Sequence, residues 1–497
     1  MTIKKLLIAN RGEIASRIIK SAHQMGIGTV AIYTTPDANS PYVREAKEAF
    51  KLDSSYLDAK KIIEIASNAN VDAIHPGYGF LSENSNFANL VSKSNIKWVG
   101  PSANAIKKMG DKLTAKKLSE KASVPTLPMT SDPKEAKKIG YPLLIKAAAG
   151  GGGKGMRIVK SQKDLKESIA SAQREAEGGF GDKRVFIERY IAKSRHIEIQ
   201  ILGDSYGNIV HLGERECSIQ RRHQKVVEES PSPVVDEELR NKMGAAAIKI
   251  ASLLKYESAG TVEFLFDEKT KEFWFLEVNT RLQVEHPVTE EVTGIDLVRE
   301  QLKIANGDPL DFSQEEIEWF GSSIEVRLYS EDPGNNFLPV TGKLIAFEPT
   351  ENPLVRWDTG VETGSEITPN FDPMLAKVIS YGENRVEAAN KLALALENSH
   401  FGGLKTNRDY LISILRSDEF LQGNTTTDFL EKAKIKDEIN LSEKEIYFLA
   451  IAASMWIQGK NRFESEVLSN LSSGWNNARL PMQEVKLQYK DKPLTVK

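Results

Sequence analysis

Five polar residues at every second position, Glu277, Asn279, Arg281, Gln283 and Glu285, are the densest chemistry in the chain. In an extended strand successive side chains point to opposite faces, so this period puts all five on one side and turns Val278, Leu282 and Val284 to the other. The segment before them, TVEFLFDEKTKEFWFLEVNTR, has apolar runs on both sides of DEKTKE and reads as a hairpin. With its loop centred on Thr270 and about three or five residues long, Glu263 falls opposite Glu277 on the same face. Opposed carboxylates repel unless a cation lies between them. Mg²⁺ suits the position, because it takes hard oxygen ligands, commonly one or two carboxylates together with substrate phosphates. A solvated sheet face would also be polar, but it would not need an asparagine, an arginine and a glutamine in its middle. The pattern therefore offers a metal site, an anion clamp and a base on one strand.

Gly150 to Gly153, followed by Lys154 and Gly155, lie between the apolar runs YPLLIKAA and MRIV. Without Cβ atoms, their backbone N–H groups can approach phosphate oxygens, and Lys146 stands one strand away. The run is not a Walker A loop, since no glycine precedes Gly153 by five residues. A flexible hairpin turn is the simpler alternative, and the nearby lysines favour a phosphate cover. Gln220 to Lys225, QRRHQK, is a short basic cluster without interleaved aromatics, which suits a substrate phosphate better than nucleic acid. His196 and His223 have no histidine or cysteine at ligand spacing, so hydrogen bonding is expected of them and no zinc site.

The elements that must position these groups follow from the hydrophobic rhythm. Residues 1 to about 110 alternate strand-like and helix-like segments, a βαβ pattern that predicts a parallel, Rossmann-like sheet with loops at its strand ends facing a ligand. A helical stretch from Ala103 to Ser123 ends at VPTLP, and a compact unit of about Thr126 to Gly203 follows. From Asp204 onward the strands read as antiparallel. A strand-rich segment from about Ser322 to Leu430 precedes a polar tail. The fold class is α/β.

At 497 residues the chain exceeds the size of one core, and two to four domains are expected. No run of about 18 apolar residues exists to span a membrane. The N-terminal apolar stretch breaks at Asn10 and Arg11, short of the roughly 7 to 15 residues of a signal peptide. Cys217 is the single cysteine, which excludes an intramolecular disulfide or a CxxC pair and suggests a reducing, cytoplasmic setting. A net charge of -3 gives no global attraction for nucleic acid, so anion sites must be local.

The chain resembles the biotin carboxylase family of the ATP-grasp superfamily. The resemblance is carried, in order, by IANRGEIA at Ile8, HPGYGFLSEN at His75, MGDK at Met109, IKAAAGGGGKGM at Ile145, RHIEIQ at Arg195, ECSIQRRHQKVVEESPSP at Glu216, EVNTRLQVEHPVTE at Glu277, EVRLYSEDP at Glu325, FDPMLAKVI at Phe371 and GLKTN at Gly403. It implies an N-terminal domain over 1–112, an ATP-grasp domain over 113–320 with a mobile glycine-rich lid at about 126–203, a mainly β C-terminal domain over 321–446 and an extension of unassigned role over 447–497. ATP would be met by Lys112, Lys146 and the loop of Gly151, Gly152 and Gly153, with Glu188 and Ile191 lining the adenine and ribose pocket and His196, Gln220 and His223 completing it. Glu263, Glu277 and Asn279 would hold Mg²⁺ or Mn²⁺. Bicarbonate would sit against Arg281, Gln283 and the backbone of Val284, with Glu285 as base, Arg327 stabilising the biotin oxyanion and Lys225 assisting. Tyr78 and Asp372 are further candidates near the biotin site.

No lysine stands in an AMKM-like motif, so a separate biotin carboxyl carrier protein and a separate carboxyltransferase are implied, around a homodimer, with neither nucleic acid nor membrane as partner. GWNNARLP at Gly474 tilts the final acceptor towards an acyl-CoA, such as acetyl- or propionyl-CoA, over pyruvate. The loop TTPDANSPYVREA departs from the commoner family pattern, which carries a histidine there. Two other readings compete: a different ATP-grasp carboxylate ligase, and an inactive assembly protein of a carboxylase complex. The second would be expected to have lost Glu285, Arg281 or a metal carboxylate, and all are present.

Overall fold

Strands β1 (Lys5–Ile8), β2 (Gly28–Tyr33), β3 (Glu48–Lys51), β4 (Ala73–His75) and β5 (Lys97–Trp98) form a parallel sheet in the order β3-β2-β1-β4-β5. This computed structural model describes residues 2–149, 156–222, 224–433, 435, 441–467, 481–482, 484–490 and 492–497. Leu6, Leu7, Ile8, Val30, Ala31, Ile32 and Ile74 are fully buried because both faces of the sheet are covered, which is why the strands read as continuous apolar runs. Strand order reverses between β1 and β4, and their carboxyl ends open a crevice. There the Asn10 amide donates to the carbonyls of Pro76 and Tyr78 at 2.6 and 2.7 Å. Gly77 has φ 62°, and a Cβ on it would meet Asn10 Nδ2 at 2.8 Å.

The next strands, β6 (Met129–Thr130), β7 (Leu143–Ala147), β8 (Arg157–Val159) and β9 (Val185–Arg189), make an antiparallel sheet in the order β6-β9-β7-β8. It shares a core of Leu143, Ile145, Val159 and Ile187 with Leu165 and Ala172 of the helix Gln162–Phe180. The lid span expected from the sequence runs to Gly203, but its last strand, β10 (Arg195–Gly203), pairs elsewhere. The glycine run between β7 and β8, with Gly151, Gly152 and Gly153, lies outside the described residues.

That other sheet has eight strands. They are β10, β11 (Ile209–Arg221), β12 (Gln224–Ser230), β13 (Ser258–Asp267), β14 (Glu272–Asn279), β15 (Ser322–Tyr329), β16 (Arg356–Thr359) and β17 (Met374–Gly382). The order is β14-β13-β10-β11-β12-β15-β17-β16, with every pair antiparallel. The β12–β15 ladder runs straight across residue 320, so the central and C-terminal segments share one continuous sheet. One face packs on the helix Glu237–Leu254 through Ile197, Ile199, Ile201, Phe264 and Phe266. On β15 and β17, Val326, Leu328 and Val378 pack on the helix Arg385–Asn398.

The β13–β14 hairpin departs from the sequence reading in its loop. Its turn is Glu268 to Lys271, four residues rather than three or five, and Asp267 pairs Glu272. Continued in that register, Glu263 would face Leu276 and the two acids would lie on opposite sides. A bulge intervenes: Phe264 pairs Phe275, whereas Glu263 pairs Glu277, leaving Leu276 as the extra residue. The acids therefore share a face as expected, by a different route.

Residues from Glu438 onward form a separate unit, with a helix Glu443–Phe463 started by a Ser442/Glu445 capping box and a hairpin of Val485–Tyr489 with Lys492–Val496. The GWNNARLP segment lies outside the described residues. No helix among the described residues is long and apolar enough to cross a membrane.

Phe264, fully buried beside Glu263 and edge-on to Phe273 at 5.3 Å, locks the bulged register. Phe264→Ala is expected to lower the unfolding free energy in urea by roughly 3–5 kcal/mol. An effect below about 1 kcal/mol would show that the hairpin does not depend on this side chain.

Candidate active site

The polar face of the large sheet is built by alternation. In β10, His196, Glu198 and Gln200 point one way and Ile197, Ile199 and Ile201 point into the core. Glu198 pairs Arg215 on one side and Glu263 on the other, and Glu263 pairs Glu277. A guanidinium and three carboxylates thus line up across four strands. Arg215 donates to Glu198 at 2.5 Å, to Gln200 at 2.8 Å and to Thr261 at 3.1 Å.

Lys225, from β12, reaches into the row. Its Nζ lies 2.8 Å from Glu198, 3.2 Å from Glu263 and 2.5 Å from Glu285. The other oxygen of Glu285 accepts from Arg327 Nη2 at 3.0 Å, and Arg327 Nε donates to Glu228 at 2.7 Å. Glu285 is buried and held between two cations. Burial raises the Glu285 carboxyl, but Lys225 and then Arg327 outweigh it and hold it well below the usual carboxylate range. Glu263 shifts the same way, burial being outweighed by Lys225 and His196. Glu228 goes the other way: burial dominates its pairing with Arg327 and pushes it up to about 7.

The expected metal ligands come together. Asn279 Nδ2 donates to Glu263 at 2.8 Å, His196 Nε2 lies 2.9 Å from the other Glu263 oxygen, and Lys112 lies 3.1 Å from Glu277. Two carboxylates on one face and an adjacent amide, whose nitrogen is engaged and whose oxygen meets no donor among the described residues, make an all-oxygen donor set that fits a hard divalent cation. Glu198, Cys217 and Glu285 also cluster, as do His196, Glu198 and Glu263, but in each of these the Lys225 ammonium already bonds two of the three groups, against one, Glu263, in the set above.

Of the residues expected to meet ATP, Lys146 from β7 lies 2.9 Å from Glu188 of β9, and Lys116 of the helix Lys112–Lys121 pairs with the other Glu188 oxygen. Burial, with Lys112 next, lowers the Lys146 ammonium to about 8. Gln220 Nε2 donates to His196 Nδ1 at 2.6 Å. Ile191 follows β9, half-buried, and His223 lies outside the described residues.

The single-strand reading of Glu277 to Glu285 fails beyond Asn279. The strand ends there, and Thr280 to Glu285 turn into the helix His286–Thr293, of which Glu285 is the N-cap and Pro287 sits in the first turn. Pro287 cannot donate to a ladder, so the chain leaves the sheet before it. Arg281, Gln283 and Glu285 converge on the site from this turn. Arg281 Nη1 donates to Gln283 Oε1 at 2.6 Å, and its Nε donates to Glu83 at 3.0 Å.

Comparison with known proteins agrees with this arrangement along the chain. Family models for the biotin carboxylase N-terminal domain, the carbamoyl-phosphate synthase L chain ATP binding domain and the biotin carboxylase C-terminal domain match residues 2–106, 109–313 and 325–432. Biotin carboxylase 2 of Bacillus subtilis (strain 168) is 48% identical over 441 residues, covering 86% of this chain and 99% of that protein. The chain belongs to the biotin carboxylase family. Its members are ATP-grasp ligases, and the α/β architecture above is theirs. The biotin carboxylase domain dimer of Hydrogenobacter thermophilus 2-oxoglutarate carboxylase, solved with MgADP, ADP and bicarbonate, superposes with a TM-score of 0.87 at 42% identity, over 89% of this chain and 100% of that one. The alpha subunit of the mitochondrial methylcrotonoyl-CoA carboxylase of Arabidopsis thaliana is 46% identical over 469 residues, 91% of this chain, which spans only 64% of that protein.

Within this biotin carboxylase family member, Glu83, Lys116, Glu198, Arg215 and Glu228 are site residues that sequence reasoning missed. Glu83 lay in the quoted HPGYGFLSEN segment and binds the Thr280 N–H at 3.0 Å as well as Arg281. Glu198 alternates with apolar residues in RHIEIQ, a polar-inward signal as clear as that of Glu263.

Removing Lys225 would leave buried carboxylates uncompensated. Lys225→Met is expected to cost roughly 3–5 kcal/mol in urea unfolding at neutral pH, and a neutral effect would show that the carboxylates are screened otherwise. Glu228 gives a pH test. Its folded pKa is raised, so its stabilising contribution is fully present below the unfolded value and is lost as pH rises through about 7. Thermal midpoints measured between about pH 5 and 8 should fall less steeply in Glu228→Gln than in the wild type, and identical slopes would refute the assignment.

Proposed function

We propose that this chain uses ATP and bicarbonate to carboxylate biotin carried on a separate protein, the first half-reaction of an acyl-CoA carboxylase. The observation that carries the reading is Glu285 clamped between Lys225 and Arg327, beside the paired acids Glu263 and Glu277. Held far below its ordinary range, Glu285 is present as the carboxylate, the form a base needs, while its two cations are charges that incoming anions can recruit.

Bicarbonate would enter beside Arg281, Gln283 and the Val284 backbone. As Lys225 and Arg327 turn towards the substrate anions, Glu285 loses its compensation and gains basicity, so it takes the bicarbonate proton when the oxygen attacks the γ-phosphorus and ADP leaves. Lys112, Lys146 and Lys225 would neutralise charge on the transferring phosphoryl group. Mg²⁺ or Mn²⁺, held by Glu263, Glu277 and Asn279, would add the same kind of neutralisation. The carboxyphosphate so formed would break to CO₂ and phosphate, and the phosphate would take the proton of the biotin ureido nitrogen as that nitrogen bonds to CO₂. Arg327, one residue from Glu285 in the ion-pair chain, would hold the oxyanion that develops on biotin.

We further propose a homodimer, as in the Hydrogenobacter thermophilus biotin carboxylase domain dimer, served by a biotin carboxyl carrier protein and a carboxyltransferase in a cytoplasmic carboxylase. Pyruvate as final acceptor is the second reading, favoured by a pyruvate carboxylase subunit of Methanothermobacter thermautotrophicus, 45% identical over 86% of this chain and 89% of that protein.

ADP release measured with and without bicarbonate and free biotin tests the reading. Bicarbonate-dependent cleavage that free biotin stimulates is expected. Arg327→Ala should lower the biotin-stimulated rate by roughly 10²- to 10³-fold, and Glu285→Gln should lower the bicarbonate-dependent rate by about 10²- to 10⁴-fold. Wild-type cleavage indifferent to biotin would favour another carboxylate ligase.

A further inference from the structure

In the bicarbonate pocket proposed above, Val284 would offer its backbone N–H to the anion, and its own side chain does nothing to aim it. The turn from Thr280 to Glu285 is neither strand nor helix, so no ladder fixes its peptide planes. Two buried side chains from other elements take that place. The Gln283 carbonyl, in the plane that also carries the Val284 N–H, lies 2.7 Å from His286 Nδ1. A carbonyl only accepts, so the imidazole hydrogen is on Nδ1. The Gln283–Val284 bond is trans, which sends the Val284 N–H away from His286, and that N–H meets no acceptor among the described residues.

The following plane is held from the opposite side. The Val284 carbonyl accepts from Lys377 Nζ at 2.9 Å. Lys377 is wholly buried on β17, 3.3 Å from Glu13 of the helix Gly12–Gln24 and 3.7 Å from Asp358 of β16. In the ladder it stands directly opposite Arg327, an unfavourable pairing of like charges unless each is separately compensated. Each is: Arg327 by Glu228 and Glu285, Lys377 by Glu13 and Asp358. Neighbouring strands thus grip one dipeptide, Lys377 at the Val284 carbonyl and Arg327 at the Glu285 carboxylate.

We propose that His286 and Lys377 are positioning residues for bicarbonate, clamping the peptide planes before and after Val284 so that its N–H is fixed towards the anion. The inference rests on the bicarbonate pocket proposed above and adds the device that aims its backbone donor. A lysine can do this where a neutral amide could not, because the same ammonium anchors the turn to the first helix and to β16 through two ion pairs.

Steady-state kinetics on the full chain, with KM for bicarbonate and for ATP measured separately, tests the clamp. Both His286→Leu and the charge-balanced pair Lys377→Met with Glu13→Gln are expected to raise KM for bicarbonate roughly 10- to 100-fold while KM for ATP stays within about twofold. In His286→Asn the amide nitrogen occupies nearly the place of Nδ1, and most of the loss should be recovered. Lys377→Arg, which keeps the charge beside Glu13 and Asp358, is the probe should the double variant not fold, and a bicarbonate-selective rise in KM is expected of it too. The proposal is overturned by variants whose KM for bicarbonate stays within about twofold of wild type, by losses equal for both substrates, or by a His286→Asn no better than His286→Leu. Wild-type ATP cleavage independent of bicarbonate would instead remove the pocket itself.

Discussion

Everything at this site depends on keeping several buried carboxylates ionised next to one another. Glu198, Glu263 and Glu285 are buried and all three bond the Lys225 ammonium, while Arg215 and Arg327 take the remaining load. A lone carboxylate would not stay charged in such surroundings, and breaking a buried pair by removing one partner leaves an uncompensated charge. The geometry of the eight-stranded sheet answers this requirement. Alternation along β10 and β13 turns the acids to one face and the isoleucines and phenylalanines to the other, towards the helix Glu237–Leu254. The same strands therefore make the core and the charged face, and neither could be moved by one residue without inverting both.

The compensation is incomplete, and the shortfall bears on function. With Glu228 included, four acids share the permanent charges of Lys225, Arg215 and Arg327. Glu228, pushed up to about 7 by burial, gives up its charge near neutral pH. In the proposed reaction an arriving phosphate or carbonate would draw Lys225 and Arg327 away from Glu285, and the resulting gain in basicity would fall on the group proposed to remove a proton. Charge is thus redistributed within a fixed frame, which involves less reorganisation than assembling the groups anew.

How much of this the sequence disclosed depended on whether the signal was local. The Glu263–Glu277 pairing was readable because one hairpin brings both acids together, yet the loop length assumed for it was wrong and the bulge at Leu276 restored the register. Extending the period past Asn279 misplaced Arg281, Gln283 and Glu285 on a strand. Pro287 was the available sign that the chain turns, but a proline two residues beyond Glu285 does not say where a strand stops. The parallel N-terminal sheet followed from its βαβ rhythm. The strand Arg195–Gly203 was put with the preceding unit because nothing local distinguishes a strand of a small sheet from one of a large sheet. Glu13, Lys377 and Asp358 were beyond reach for a similar reason, since residues from such distant parts of the chain meet only once the whole sheet has formed.

The continuity of that sheet across residue 320 explains how two substrates can be served from one place. β12 carries Lys225 and Glu228, β15 carries Arg327, and the β12–β15 ladder sets Val227 against Val326. The groups assigned to phosphate and bicarbonate and the group assigned to biotin are therefore joined by backbone hydrogen bonds within a single sheet, where a flexible linker would have left their spacing open. A reactive carboxylated phosphate gains from such an arrangement, because a displacement of about 1 Å between reacting groups can cost two orders of magnitude in rate. Glu285 completes the join: it is attached to neither strand, but its two oxygens bond Lys225 and Arg327, so the helix it caps is held to both halves of the sheet by the carboxylate proposed as the base.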